Sequence, residues 1–421
     1  MRAVVLVVAV TVSCARQEAS VDQGTSAGPE TSDAAIREPD AGTPPTVDAG
    51  TVGTSTPDAG TADAGSEAAP TLSDAWNIQD VGGADQCSPL FGCPIPTLAT
   101  NEDGQLSFGA HTLRPGPCMM CFADRLVRRW NGNAWETVIS NTGWPGTYSR
   151  VSLAGDPTRG AMLFADTDLS DPYHPPIYLH VWTLDARGET EFLTPLGGAH
   201  EAHNPMLAVD ATGIVTVTWT EVDSTYTSTV RSARSTSAGW DSLPEFPVPG
   251  PAFYAFDAWM VLDARGAPVV AACDAGTVQL ATWELETRTW HPAPPLVQPS
   301  STYQSCVVRA LSDGDGIIVA HGLWTGPVSV DRWDGTRWTP LGRALGDNLY
   351  ALARSPRGTP LLITTLGILE RTDTWHIVAA SSGSFPVAIA SSEDKIWSWW
   401  VVGPADGMHP SVGQLRTMTL R

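Results

Sequence analysis

Short apolar runs that alternate with polar residues dominate the chain from about residue 85 onward. Segments such as "VTVTW" and "GIIVAHG" lie between clusters of Gly, Pro and Asp. A period of two residues, bounded by turn-forming residues, is typical of β-strands that bury one face. No long segment of this region keeps apolar residues at the 3.6-residue period of a helix. The pattern therefore predicts an all-β domain.

A polar turn followed by an apolar strand recurs along this region. Six copies contain a turn glycine, namely Gly104, Gly160, Gly213, Gly266, Gly316 and Gly358. A seventh copy without glycine, "SSEDKIWSWW", surrounds Lys395. The copies lie 37 to 56 residues apart, and a propeller blade takes ~40 to 50 residues. One short strand precedes most of these turns and two more follow, so each repeat supplies four strands.

Two segments place tryptophans on either side of a smaller turn: "RWDGTRW" (332–338) and "RRWNGNAW" (128–135). With the repeated turn, they resemble kelch-like and BNR-like β-propellers that have a W-[DN]-G-x-x-W outer hairpin. The resemblance implies that residues 103–421 form one β-propeller of seven four-stranded antiparallel blades, with six blades as the alternative. A pair of β-sandwiches would not explain one repeat period across the whole domain. The tryptophans are then expected to pack along the blades rather than to bind a ligand.

The N-terminal residues have a different character. "MRAVVLVVAVTVSC" places Arg2 before about ten apolar residues, which predicts a signal peptide over residues 1–13 and is too short for a spanning helix. "TVSC" resembles a bacterial lipobox, with Thr11 where that family prefers Leu, and the resemblance implies that Cys14 is lipidated. Ala15 implies sorting to the outer membrane by the same resemblance. The alternative is an ordinary cleaved signal with an incidental cysteine.

Residues 14–75 repeat "DAGT" and carry eleven carboxylates against Arg16 and Arg37. Such a segment buries too little apolar surface to offset its ordering entropy, so it is predicted to be a disordered acidic linker. Residues 76–102 are predicted to be a cysteine-containing entry segment. We therefore expect an outer-membrane lipoprotein of the cell envelope, facing the periplasm or the exterior, whose membrane contact is made by the lipid anchor alone.

Charge narrows the range of partners. The formal net charge is -21, and Lys395 is the single lysine. A chain without a basic patch has no surface that attracts phosphates, so nucleic acid is not an expected partner. We expect the chain to be a monomer.

Six cysteines remain once Cys14 is set aside, an even number that suits disulfides in an exported protein. Cys273 ends the second strand of one repeat and Cys306 begins the first strand of the next, so we expect these two to pair. The other four lie around the first repeat, where three pairings are open: Cys87, Cys93, Cys118 and Cys121. "CMMC" also has the spacing of a redox or zinc motif, but it has neither the βαβ context nor a second close pair, which favours structural disulfides.

Propeller geometry separates the loops into two faces. If strands are lettered a to d outward from the channel, the short a-b turns and the c-d turns share one face, and the variable b-c and d-a loops share the other. The second repeat places a group of carboxylates and imidazoles on the variable face: Asp166, Asp168, Asp171, His174, His200, Glu201 and His203. Such a set is a candidate Ca²⁺ site, and a solvated polar loop is the alternative. No cofactor is firmly implied.

Aromatic residues also recur on the variable face, just before inner strands or in a b-c loop: Tyr148, Tyr254, Tyr303, Trp324 and Tyr350. These rings are the preferred candidates for ligand binding, and packing at the channel mouth is the alternative. The aromatic residues favour a non-catalytic recognition module that binds a glycan, a peptide or an envelope protein. The sequence does not identify which of these is the ligand.

Two other functions are alternatives to the recognition-module hypothesis. A sialidase-like glycoside hydrolase or a polysaccharide lyase is one, and a scaffold for envelope assembly is the other. By resemblance, a sialidase requires an arginine cluster, for which Arg150, Arg309 and Arg354 are on inner strands. No family motif surrounds these arginines, and the S-x-D-x-G-x-x-W repeat fails because Trp333 and Asp331 stand where Asp and Ser are required. No catalytic residue is therefore assigned.

Overall fold

The computed structural model describes most of the chain from residue 76 onward. The described residues are 76–86, 96–101, 103–114, 122–144, 151–158, 161–169, 177–185, 188–196, 201–223, 227–247, 252–253, 257–274, 276–297, 306–323, 326–403 and 412–420. These residues form strands and turns, arranged as seven antiparallel sheets. None of them lies in a helix long and apolar enough to cross a membrane. The Cys14 anchor and the linker predicted for residues 14–75 lie outside the described residues.

The first six sheets follow the order of the chain, with strands a, b, c and d in sequence. Blade 1 consists of β2 (Thr97–Thr100), β3 (Leu106–Arg114), β4 (Phe122–Trp130) and β5 (Trp135–Trp144). Blade 2 consists of β6 (Ser152–Asp156), β7 (Ala161–Leu169), β8 (Ile177–Asp185) and β9 (Gly188–Leu196). Blade 3 consists of β10 (Glu201–Val209), β11 (Val215–Val222), β12 (Thr227–Thr236) and β13 (Gly239–Ser242). A further short strand, β14 (Ala252–Phe253), pairs with the start of β12.

Blade 4 repeats this arrangement. It consists of β15 (Asp257–Leu262), β16 (Pro268–Asp274), β17 (Thr277–Glu284) and β18 (Thr289–Pro292), with β19 (Leu296–Val297) also paired to β17. Blade 5 consists of β20 (Cys306–Asp313), β21 (Gly316–Leu323), β22 (Pro327–Trp333) and β23 (Trp338–Asp347). Blade 6 consists of β24 (Ala351–Arg354), β25 (Pro360–Thr364), β26 (Gly367–Arg371) and β27 (Trp375–Ala380).

Blade 7 joins the two ends of the domain. Its strands a, b and c are β28 (Ser384–Ser391), β29 (Lys395–Val402) and β30 (Val412–Leu420), and its outer strand d is β1 (Trp76–Gln86). The strand that follows the linker therefore closes the ring, because β1 pairs antiparallel with β30 from Trp76 opposite Leu420 onward. The segment predicted as an entry region, residues 76–102, thus contributes the last blade's outer strand and the first blade's inner strand.

Seven apolar clusters confirm the blade count. Each cluster draws its buried residues from two neighbouring blades, and together they run around the ring from the interface of blades 1 and 2 to that of blades 7 and 1. The last interface buries Phe108 of blade 1 against Trp399 of blade 7, with ring centroids 4.9 Å apart. Burial of aromatic and branched side chains between the sheets is what holds the blades together. The predicted all-β, seven-bladed propeller is confirmed.

The recurring a-b turns are closed by side-chain hydrogen bonds. In blade 3 the Oδ1 of Asp210 accepts hydrogen bonds from the backbone N–H of Thr212 at 2.9 Å and of Ile214 at 3.0 Å. Gly213 adopts a φ of +83°, and a Cβ there would lie 2.5 Å from Thr158 Oγ1 in the turn of blade 2. Adjacent turns therefore pack against each other, which explains why this short turn is repeated.

The tryptophan segments are c-d hairpins, as the sequence indicated. Trp333 lies opposite Trp338 on neighbouring strands, with ring centroids 5.2 Å apart. Between them Gly335 has a φ of +92°. Asp334 accepts hydrogen bonds from the Thr336 hydroxyl and from the backbone N–H groups of Arg337 and Thr336, and these bonds hold the pKa of Asp334 well below its usual range. Trp338 Nε1 also donates to Pro294 O of blade 4 at 2.7 Å. The hairpin therefore contributes to the packing of blade 5 against blade 4.

Candidate functional site

The structure describes four of the seven residues predicted to bind a metal. Asp171, His174 and His200 lie outside the described residues. Asp166 and Asp168 are on β7 rather than in a loop, because the b-c pairing continues to Leu169 opposite Ile177. Glu201 and His203 are on β10, the inner strand of blade 3, rather than in the d-a loop. In the part of the chain that the structure describes, no group of three or more His, Cys, Asp or Glu side chains is placed to hold a metal ion.

The predicted Cys273–Cys306 disulfide is confirmed. The bond joins strand b of blade 4 to strand a of blade 5, with Cα atoms 5.7 Å apart. Both residues belong to the apolar cluster between these two blades, where Cys273 is 0% and Cys306 is 2% exposed. The disulfide therefore fixes the spacing of strand b of blade 4 and strand a of blade 5 near the variable face. The other predicted cysteines, Cys87, Cys93, Cys118 and Cys121, lie outside the described residues.

One buried ion pair links three consecutive blades at the same face. Arg309 Nη1 on β20 donates to Asp257 Oδ2 on β15 at 2.6 Å, and Arg309 Nε donates to the carbonyl oxygen of Tyr350 at 3.1 Å. The Arg309 guanidinium carbon lies 4.6 Å from the centroid of the Trp259 ring. Only 7% of the Arg309 side chain is exposed. Because its hydrogen bonds hold blades 4, 5 and 6 together, Arg309 positions the channel mouth rather than offering a free cation.

Arg354 lies at the opposite end of the inner strands. Its guanidinium donates to the carbonyl oxygen of Ser312, to Asp313 Oδ1 at 3.0 Å and to Gly358 O at 3.0 Å, all at a-b turns. Burial raises the pKa of Asp313, but hydrogen bonds from Arg332 and Arg354 outweigh burial and hold that pKa below its ordinary value. The two described inner-strand arginines are therefore apart, and each is engaged by its own carboxylate. Arg150, the third arginine of the sialidase hypothesis, lies outside the described residues.

An aromatic pair lies at the channel mouth between blades 6 and 7. Tyr350 immediately precedes β24, and Phe385 is the second residue of β28; their ring centroids are 6.4 Å apart with planes inclined by 32°. Phe385 is 36% exposed, whereas Tyr350 is half-buried against the clusters on either side of blade 7. We call these two rings the mouth platform. Of the predicted aromatic residues, Tyr148, Tyr254, Tyr303 and Trp324 lie outside the described residues.

Three chain segments support the mouth platform. The Tyr350 N–H donates to Ile363 O at 3.0 Å, and the Thr365 N–H donates to Asp347 O at 2.9 Å. On the other side the Ser381 N–H donates to Leu366 O at 2.8 Å. The b-c turn of blade 6 therefore lies between the d-a loop that carries Tyr350 and the d-a loop that leads to Phe385 on β28. Backbone hydrogen bonds on both sides of this turn hold the three segments in fixed relation.

Of the two platform rings, Tyr350 was predicted from the sequence and Phe385 was not. Phe385 stands at the start of an inner strand, as the predicted tyrosines do, in the segment "SSGSFPVAIA". The signal in the sequence is therefore any aromatic residue at the start of an inner strand, phenylalanine included. Asp257 was missed as the partner of Arg309 because the two residues are 52 positions apart. No local pattern links them.

Comparison with known proteins gives similarity in fold alone. No protein family model matches the sequence, and no curated protein matches it significantly. Among solved structures, Trypanosoma rangeli sialidase in complex with sialic acid is 12% identical with a TM-score of 0.48, over 84% of this chain and 60% of that one. A protein from Lactobacillus plantarum is 11% identical with a TM-score of 0.46, over 68% of this chain and 84% of that one.

A protein of unknown function from Dyadobacter fermentans is 10% identical with a TM-score of 0.46, over 82% of this chain and 99% of that one. The chain thus spans about three fifths of the length of the sialidase it is similar to. Identity at this level carries no information on activity. Its own strand order and its seven interblade clusters identify the chain as a seven-bladed β-propeller.

Proposed function

We propose that this propeller is a non-catalytic recognition module that binds a glycan or protein ligand at the channel mouth. The observation that carries the proposal is the mouth platform, where a partly exposed Phe385 stands beside Tyr350. Aromatic side chains lose little conformational entropy on binding and contribute large contact areas, so they are frequent anchors of ligand sites. Their support by three hydrogen-bonded segments makes the platform preorganised.

The surroundings of the platform favour binding over catalysis. Arg309 donates to the carbonyl oxygen of Tyr350, and Arg309 and Asp257 satisfy each other's charge at 2.6 Å. A general acid or base needs a proton-exchanging group that can reach the substrate, and an arginine neutralised by a buried contact does not serve that purpose. The proposal therefore assigns to this pair the positioning of the rings, and to the rings the contact with the ligand.

The test compares binding with turnover in the full chain. We expect saturable binding on glycan or peptide arrays, at least about tenfold weaker for Phe385→Ala, and no release of fluorophore from fluorogenic glycosides. Leu285→Ala is the matched control, because Leu285 is 37% exposed in a c-d turn of blade 4 on the other face. Turnover abolished by platform substitutions would replace this proposal with the glycoside-hydrolase alternative. Binding that Phe385→Ala leaves intact would place the ligand elsewhere.

We also propose that the module is attached to the outer membrane through a lipid on Cys14. The "TVSC" segment and the acidic linker that follows support this part of the proposal. In a Gram-negative host, the wild-type chain is expected to partition into the detergent phase of Triton X-114 and to incorporate labelled palmitate. Cys14→Ser is expected to abolish both. A wild-type chain that stays in the aqueous phase would exclude the anchor without affecting the recognition site.

A further inference from the structure

An exposed leucine lies on the turn between the two segments that lead to the platform rings. Leu366 is in the b-c turn of blade 6, between β25 and β26, and is 39% exposed. The Tyr350 N–H donates to Ile363 O at 3.0 Å, three residues before Leu366. Leu366 O accepts from the Ser381 N–H at 2.8 Å, four residues before Phe385. Leu366 therefore extends the apolar surface of the mouth platform.

Exposed apolar side chains are concentrated at this place on the propeller. Among the described residues, five large apolar side chains are exposed by 36% or more. Ile78, Leu285 and Val297 lie on separate elements, whereas Leu366 and Phe385 lie on segments joined by a backbone hydrogen bond. Single exposed apolar residues are ordinary on a soluble surface, but neighbouring ones are typical of sites of protein association.

A carboxylate borders this surface on the side of blade 5. The Asp347 N–H donates to Thr365 Oγ1 at 3.0 Å, and the Thr365 N–H donates to Asp347 O at 2.9 Å. Asp347 is thus fixed beside the residue that precedes Leu366. Leu366 also packs on Gly346, where its Cγ lies 2.9 Å from the position of an added Cβ. The Asp347 side chain is exposed, and within the described chain its carboxylate has no ion-pair partner.

Charge favours a cationic partner over an anionic one. Arg309, which donates to the backbone of the platform, is neutralised by Asp257 at 2.6 Å. Arg343 precedes Asp347 by four residues on β23, opposite Ser329, and forms no ion pair with it. The linker has eleven carboxylates and two arginines, which account for -9 of the net charge of -21, so the other residues are acidic as well. This field attracts cations, and Asp347 provides a contact for one beside the apolar surface.

The composition and spacing of the surface favour a protein segment over a sugar. A sugar stacks on flat aromatic faces, and Leu366 provides none. Apolar protein side chains gain free energy from aliphatic and aromatic surface alike, because the gain depends on the area buried. In an extended segment every second side chain is on one face, about 6.6 Å apart. The centroids of the two platform rings are 6.4 Å apart, so consecutive side chains on one face of such a segment match the two rings.

We propose that the mouth platform, Leu366 and Asp347 form one docking surface for an extended protein segment that carries a cationic side chain close to apolar ones. The apolar side chains of the partner pack on Tyr350, Phe385 and Leu366, and its cation pairs with Asp347. This inference rests on the recognition role proposed above and names the class of its ligand. Because the charged contact is exposed, salt weakens it, whereas the apolar contacts persist.

The first experiment probes immobilised peptides with the full chain. Each peptide places an arginine and two leucines, at varied spacing, in a background of glycine and serine. Three counterparts replace the arginine by glutamate, the arginine by glutamine, or both leucines by glycine; the last reports attraction to the acidic linker. We expect a subset of the arginine–leucine peptides to bind saturably and more tightly than all three counterparts. Absence of binding by every arginine–leucine peptide, or equal binding by the glutamate counterparts, overturns the inference.

The second experiment assigns the contacts by fluorescence anisotropy of a labelled arginine–leucine peptide. Phe385→Ala and Leu366→Ala are each expected to weaken binding about threefold to tenfold, because apolar area is lost. Asp347→Asn is expected to weaken binding about threefold at about 50 mM salt and much less at about 500 mM salt. Leu285→Ala and Asp315→Asn change exposed residues of the opposite face and are the matched controls, with unchanged affinity expected.

A conservative variant separates contact from folding. All affinities are measured below the thermal midpoint of each variant, so that folded chains are compared. Phe385→Leu keeps an apolar side chain and is expected to retain most of the affinity that Phe385→Ala loses. A Phe385→Leu variant as weak as Phe385→Ala contradicts the apolar contact.

The outcomes also separate this inference from the broader proposal. Saturable binding confined to glycans or to acidic peptides, and lost in Phe385→Ala, refutes the cationic partner while retaining the recognition module. Binding of arginine–leucine peptides that neither Phe385→Ala nor Leu366→Ala changes refutes the docking surface. Absence of any saturable ligand among glycans and peptides refutes both proposals.

Discussion

The Cys273–Cys306 disulfide provides the most quantitative prediction of this structure. It joins strand b of blade 4 to strand a of blade 5 across a sequence separation of 33 residues. A cross-link stabilises a protein mainly by reducing the conformational entropy of the unfolded chain, by an amount that increases with the length of the closed loop. A loop of this length corresponds to about 3.7 kcal/mol at 25 °C. Loss of the bond is thus expected to remove a substantial part of the stability of the domain.

Replacement of the cysteines adds a packing contribution. Both residues are buried in the cluster between blades 4 and 5. The double variant Cys273→Ala/Cys306→Ala also loses two buried groups of about methyl size, each worth ~0.8 kcal/mol. We therefore expect a loss of about 5 kcal/mol in the double variant, and of about 3.7 kcal/mol in reduced wild-type protein. The difference between the two values reports the packing contribution.

Urea unfolding followed by tryptophan fluorescence measures both values, with and without TCEP. The double variant treated with TCEP is the essential control, because it reports any contribution from the remaining cysteines. Mass spectrometry of unreduced peptides verifies that the Cys273–Cys306 bond is present before unfolding. If the urea midpoint of wild-type protein does not decrease on reduction beyond the change in this control, the cross-link does not constrain the unfolded chain as argued. The same result would contradict the conclusion that the bond fixes the spacing of strand b of blade 4 and strand a of blade 5.

Three further predictions follow from hydrogen bonds and charges. Trp76→Phe removes the donor to Glu370 Oε2, a buried bond of 2.8 Å, and should lower the free energy of unfolding by about 1 to 3 kcal/mol. Ile78→Ala, at a 38% exposed position of the same strand, is the control, and an equal effect of both would contradict the bond's role. Trp338→Phe should lose about 1 kcal/mol in urea unfolding, since it removes the donor to Pro294 O; an unchanged midpoint would show that this bond adds nothing. The folded-state pKa of Asp313 is held below its ordinary value of 3.8. Its stabilising contribution is therefore present above that value and is lost as the pH falls from it through the lower folded-state pKa. Asp313→Asn should therefore reduce the acid dependence of stability, measured as thermal midpoints from pH 7 to pH 2, more than Asp315→Asn, whose side chain is 93% exposed.

The repeated turn made the blades predictable from the sequence. Gly104, Gly213, Gly266 and Gly358 all have a positive φ, as a tight polar turn requires. Blade 5 departs from this pattern: the positive φ is at Gly314, whereas Gly316 begins β21, where a Cβ would lie 2.8 Å from the carbonyl oxygen of Trp333. The same residue type therefore satisfies two different steric demands. The sequence pattern predicted the position of the turn. It did not show which glycine has the positive φ and which one lies in close contact with a neighbouring strand.

Ring closure could not be predicted from local patterns. β1 contains "WNIQDVGGADQ", whose paired glycines and polar residues weaken any strand signal. Its pairing with β30 joins residues more than 300 positions apart. For example, Arg416 Nε donates to Asp80 Oδ1 at 2.7 Å across a separation of 336 residues. The Cys273–Cys306 pair was predictable, in contrast, because the repeat placed Cys273 at the end of strand b of one blade and Cys306 at the start of strand a of the next. Contacts that the repeat specifies could thus be predicted from the sequence, and contacts outside the repeat could not.

Closure by β1 and the mouth platform share one interface. Trp76 lies in the apolar cluster between blades 6 and 7, where its indole donates to Glu370 of blade 6. Tyr350 leads into blade 6 and Phe385 belongs to blade 7, so the distance between the two rings depends on the packing of these same blades. Tyr350 itself contacts this cluster. The outer strand of blade 7 therefore contributes to the interface that the platform spans. The proposed ligand site thus lies between blade 6 and the blade that, among the described residues, is assembled from both ends of the propeller.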